Sequence, residues 1–115
     1  MDLHTKKCVA CEGGMPSFPD IAIKEYITHV PGWGCDLLAA PRKIFRDFKF
    51  KDFVEAMKFV SRVADIAEGE QHHPDIHVSY NKVRIEIWTH AAKGLTENDF
   101  IIAAKINKLD SWKER

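Results

Sequence analysis

The sequence predicts an α+β fold, a four-stranded antiparallel sheet with three helices packed on one face, in the order α-β-β-α-β-β-α. Three observations lead there. Segment 51–68 carries apolar residues at helical spacing, whereas 76–87 alternates apolar and polar residues about a turn. No strand signal is followed by a glycine-rich turn, a helix and a second parallel strand. The 115 residues, 45% hydrophobic and 30% charged, suffice for one core and not for two. Residues 1–115 are therefore read as a single domain. Its first segment, 1–16, is irregular, because Gly13, Gly14 and Pro16 break any periodicity.

Each element has its own signal. Ser17 or Pro19 opens the first helix, with Asp20 in its first turn and Ile23, Ile27 and Val30 at helical spacing; Pro31-Gly32 stops it. Trp33 to Ala39 reads as the first strand and Lys43 to Phe50 as the second. Ile44, Phe48 and Phe50 alternate, Arg46 shares their parity, and Pro41 lies between the strands. In the helix over 51–68, Phe53, Met57, Val60, Ala64 and Ala67 form one apolar stripe, and Gly69 ends it. A hairpin follows, with Ile76, Val78 and Tyr80 on one strand, Val83, Ile85 and Ile87 on the other, and Asn81-Lys82 as the turn. Thr96 is the N-cap of the last helix, Asp99 its capping-box acid and Leu95 a staple; Ile102, Ile106 and Leu109 face inward.

Charge and composition narrow the function. Lys plus Arg equals Asp plus Glu at 17 each, so no basic footprint for nucleic acid or for a membrane surface is expected. No apolar run is long enough to span a membrane. The opening Met-Asp-Leu-His-Thr-Lys-Lys-Cys leads into no apolar stretch, so a signal peptide is not expected and a cytoplasmic setting is. Three cysteines make a poor disulfide framework. Cys8 and Cys11 form a Cys-x-x-Cys pair, but only Cys35 remains as a further thiol ligand, and the pair lies in a loop.

The chemistry concentrates in the histidines. Four of the six fall between residues 72 and 90. With Asn81-Lys82 as the turn, Val78 pairs with Ile85 and Ile76 with Ile87, and the same register places His73 opposite His90. Imidazoles exchange protons near neutral pH, so two facing one substrate serve as acid and base for an elimination of water. Glu68, one helical turn before His72, is placed to orient one of them. A metal site is the alternative, since histidines with Glu68 or Glu70 are zinc or iron ligands. Adjacent His-His side chains point to opposite sides of an extended backbone, which argues against both binding one ion. His4, His29 and His77 read as surface or packed residues.

Together these residues resemble the signature of the pterin-4a-carbinolamine dehydratases. That signature is an acid, three residues, His-His-Pro, an aromatic residue, a second histidine and an aspartate. Here it reads Glu68, Gly69-Glu70-Gln71, His72-His73-Pro74, Tyr80, His90 and Asp99. Cys-Val-Ala-Cys-Glu-Gly-Gly, Pro-Gly-Trp and Thr-His-Ala-Ala-Lys-Gly-Leu-Thr-Glu-Asn-Asp extend the similarity over nearly the whole chain. The resemblance implies the same fold, assembly as a homodimer or homotetramer, and dehydration of a 4a-hydroxytetrahydropterin to the quinonoid dihydropterin. That reaction recycles the cofactor of aromatic amino acid hydroxylases. The resemblance implies no metal and no organic cofactor. Carried over, His72 and His90 are the acid/base candidates and His73 joins them while positioning the pterin. Glu68 and Asp99 orient histidines or contact the pterin. The competing expectation is a non-enzymatic interaction module, because an animal member also binds a transcription factor.

Overall fold

The computed structural model describes residues 1–10 and 15–109, so Cys11 and the glycines at 13 and 14 lie outside the described residues. Three helices, α1 (Asp20–Ile27), α2 (Phe53–Glu70) and α3 (Glu97–Asn107), join four strands, β1 (Gly34–Cys35), β2 (Ile44–Lys49), β3 (Asp75–Ser79) and β4 (Lys82–Ile87). The sheet is antiparallel throughout, in the order β1-β2-β4-β3. The predicted order and class are both observed. Among the described residues no helix is long and apolar enough to cross a membrane.

The core lies between the sheet and the helices. Val83, Ile85 and Ile87 alternate into it from β4, Ile44 and Phe48 from β2. Phe59 of α2 packs on Phe48 and Phe50, with ring centroids 4.7 and 5.0 Å apart. Arg46, on the same face as Ile44 and Phe48, is accommodated at the rim. Its guanidinium lies over the Phe48 ring and donates to Asn107 Oδ1 and to the Pro31 carbonyl. Gly32 has φ +91°, a backbone conformation that favours glycine, and a Cβ there would also displace that guanidinium, 2.4 Å away.

Four local expectations differ from the structure. The first strand is two residues long, not seven, because the Asp36 carboxylate accepts from the Leu38 N–H and turns the chain. The buried stripe of α2 is Ala56, Phe59, Val63 and Ala67, rotated by roughly 75° on a 3.6-residue helix from the one expected. Phe53 (49% exposed) and Met57 (39%) point away from the core, with Val54 beside them. Both faces of α2 carry apolar residues, and only contact with the sheet chose between them. Helix α2 runs through Gly69 and ends at Gln71, which takes the left-handed conformation at φ 53°. Finally, the hairpin turn is Tyr80-Asn81, since Ser79 pairs with Lys82 and Val78 with Val83. Asn81 is held at the turn by two bonds to the end of β2: its side chain donates to the Phe50 carbonyl, and its own carbonyl accepts from the Phe50 N–H.

Residues 1–10 form a strap over α3. Leu3 is buried beneath a short 3-10 turn, Leu3–Thr5, and Asn98 brackets Val9 by donating to its carbonyl and accepting from its N–H. The Cys8 N–H donates to Glu70 Oε1 at 2.8 Å, which ties the strap to the end of α2. Burial pushes the Glu70 carboxyl up, but the Cys8 N–H and the charges of Lys105 and Lys7 outweigh it and hold it below the usual glutamate range. A carboxyl depressed below its unfolded value, near 4.3, contributes stability above that pH and loses it as pH falls through the folded value. Replacing Glu70 with Gln is therefore expected to flatten the loss of stability between about pH 5 and pH 3, read as urea midpoints across that window.

Candidate active site

The turn after α2 and the segment after β4 face each other across a cleft of about 360 Å³. His72, His73, Trp88 and His90 line it, with Gln71, Pro74 and Asp75 at one margin. This volume is at the small end of the range for ligand sites, roughly 300–1,000 Å³. The left-handed Gln71 ends the helix, and His72 and His73 just beyond it diverge. His72 turns inward, with its side chain 10% exposed, and His73 outward, at 55%.

Each of these two histidines has its own carboxylate. His72 Nε2 lies 2.6 Å from Asp99 Oδ1, within the core. His73 Nε2 lies 2.6 Å from Glu68 Oε2, at the surface. Asp99 is fully buried, and its second oxygen accepts from the Thr89 hydroxyl at 2.8 Å and from the Thr96 N–H at 2.9 Å. The capping box expected at α3 is thus present, and the same carboxyl also holds His72. With Asp99 as acceptor of all three bonds, His72 Nε2 is the donor and Nδ1 is not engaged by the carboxylate. Glu68 and Asp99 both stand behind the histidines rather than in the lining of the cleft.

His90 reaches the cleft by a different route from the one expected. The hairpin register is shifted, so continuing the ladder would put Trp88, not His90, opposite His73, and pairing stops at Asp75–Glu86. His90 instead opens a 3-10 turn, His90–Ala92, closed at its base by the Thr89 and Gly94 backbones. Tyr80, the aromatic of the motif, sits in the hairpin turn at 65% exposure, outside the cleft lining. His77 is exposed, 3.8 Å from Glu86.

Sequence reasoning missed two residues here. Thr89 supplies one of the bonds that satisfy Asp99, and Trp88 packs its ring 3.9 Å from the His90 imidazole. A signal for both existed: strand alternation continued past Ile87 puts Thr89 inside and Trp88 beside His90.

The Asp99 network generates a prediction. Asp99→Ala strands the Thr96 N–H and His72 and is expected to cost about 3 kcal/mol in urea unfolding. Asp99→Asn keeps an acceptor for the cap but presents an N–H to His72, so the fold survives while the His72 proton moves to Nδ1. Imidazole ¹⁵N shifts of His72 read that change directly.

Known proteins resemble the chain in sequence and in fold. Residues 16–109 match the family described as Pterin 4 alpha carbinolamine dehydratase. The chain is 48% identical to "Pterin-4-alpha-carbinolamine dehydratase 2, mitochondrial" of Arabidopsis thaliana over 94% of its length, and the match spans 59% of the plant protein. It is 44% identical to a putative pterin-4-alpha-carbinolamine dehydratase of Halorhodospira halophila, over 95% of this chain and 98% of that one. A crystal structure titled transcriptional coactivator/pterin dehydratase, from Brucella melitensis, superposes with a TM-score of 0.73 at 34% identity, over 79% of this chain and 95% of that one. By the family match and these relatives, the chain belongs to the pterin-4a-carbinolamine dehydratase family of hydro-lyases.

Proposed function

We propose that the protein dehydrates a 4a-hydroxytetrahydropterin to the quinonoid dihydropterin, with His72 and His90 as the acid/base pair. The observation that carries this reading is the cleft itself: three histidines from two separate loops share it, one of them held by a buried carboxylate. One imidazolium gives a proton to the C4a hydroxyl as the C–O bond breaks, and water leaves. The other imidazole takes the N5 proton, and that electron pair closes the N5–C4a double bond. His73, exposed and steadied by Glu68, positions the pterin ring, and Asp99 keeps His72 in one tautomer. The reaction breaks one C–O bond and moves protons with no external oxidant or reductant, so it needs neither metal nor organic cofactor. Consistent with that, His72 and His73 are engaged by different carboxylates and diverge.

The same reading includes assembly. Phe53, Val54 and Met57 form an exposed apolar patch on α2, and β3 is an open sheet edge. A second copy of the chain is the occupant the resemblance implies. The Brucella melitensis protein, whose title also names a coactivator, makes a different protein the second reading for that patch.

Two measurements test this. Wild-type protein should accelerate decay of freshly generated 4a-hydroxytetrahydropterin, followed by absorbance, and His72→Ala and His90→Ala should each slow it about 10²-fold or more. A folded wild type without effect would leave the interaction module. In sizing chromatography the wild type should elute as a dimer or tetramer, and Met57→Glu should shift it to a smaller species; a monomeric wild type would overturn the assembly.

A further inference from the structure

The three histidines of the cleft are not held alike. His72 has Asp99 and His73 has Glu68, each at 2.6 Å. Among the described residues no hydrogen bond or ion pair holds the His90 side chain. It also lies beyond the last β4 pairing, on a 3-10 turn, so no ladder fixes its direction. What touches it is Trp88. The two ring centroids are 3.9 Å apart with the planes tilted by 34°, which is contact distance and leaves no space for a third ring between them.

Trp88 is itself well seated. Ile87 before it and Thr89 after it are buried, and the Lys43 ammonium stands 5.3 Å from its ring centroid. Its indole N–H is buried and meets no acceptor among the described residues. The N–H therefore contributes nothing to holding the His90 side chain, and the contact is made by the ring.

We propose that Trp88 is the positioning residue for His90, taking by ring contact the part that carboxylates take for His72 and His73. This inference rests on the dehydratase reading and adds a reason for the difference. A carboxylate orients an imidazole by occupying one nitrogen. A ring face orients it and leaves both nitrogens open. The contact also survives a change of protonation, since a neutral imidazole stacks on the indole and an imidazolium is attracted to its π face. His90 is thus the histidine of the three that can gain and lose a proton at either nitrogen without breaking its anchor.

The test compares Trp88→Phe, which keeps a ring face and loses the N–H, with Trp88→Leu, which keeps bulk and loses the face. In the dehydration assay Trp88→Phe should stay within about threefold of wild type. Trp88→Leu should lose about 10- to 100-fold in kcat with KM changed less than about threefold. In a His90→Ala background Trp88→Leu should cost nothing further, because the residue acts through His90. A folded Trp88→Leu with wild-type kcat would overturn the proposal. So would a Trp88→Phe as slow as Trp88→Leu, or an undiminished loss in the His90→Ala background. Proton NMR separates this from the dehydratase reading. The His90 ring protons should be shifted upfield by the indole in wild type, and that shift should vanish in Trp88→Leu whether or not the protein turns over pterin. An unchanged His90 spectrum in that variant sinks the positioning role alone.

Discussion

The carboxylate of Asp99 sees no solvent, and a bare buried charge costs several kcal/mol unless its surroundings replace the water it lost. Three groups do so here: the Thr96 N–H at the start of α3, the Thr89 hydroxyl at the end of β4, and His72 after α2. The first turn of a helix also favours a negative charge. Three elements thus converge on one side chain. The cap of α3, the course of the chain leaving β4 and the direction of His72 cannot be varied independently.

The two histidine–carboxylate pairs have equal length and opposite settings. His72 and Asp99 lie in the core, where partners are few and geometry is rigid. His73 and Glu68 lie at the surface, 55% and 72% exposed, where water screens the pair and its contribution to stability is small. A buried pair fixes a tautomer; an exposed one lets a side chain adjust to a ligand. The left-handed Gln71 ends the helix before them, and the two adjacent side chains then point to different sides, one inward and one outward.

The surroundings reinforce the site from both ends. The N-terminal strap is bonded to Glu70, two residues before His72, and to Asn98, the neighbour of Asp99. Trp88 flanks His90 on the other side of the cleft. The exposed apolar residues of α2, Phe53, Val54 and Met57, lie outside the lining of this cleft.

The sequence by itself determined the class, the order of elements, the capping box at Thr96 and Asp99, and the histidine set, because each is a local pattern of spacing or residue type. It did not determine which stripe of α2 meets the sheet. Apolar residues such as Phe53 and Phe59 occupy both faces, and only the sheet's position distinguishes them. Nor did it determine the hairpin register, which the bonds between Asn81 and Phe50 set from a third strand. The pairing of His72 with Asp99 belongs to the tertiary structure. A partner is chosen by where backbones bend in space, and that depends on packing among segments that a local pattern does not connect.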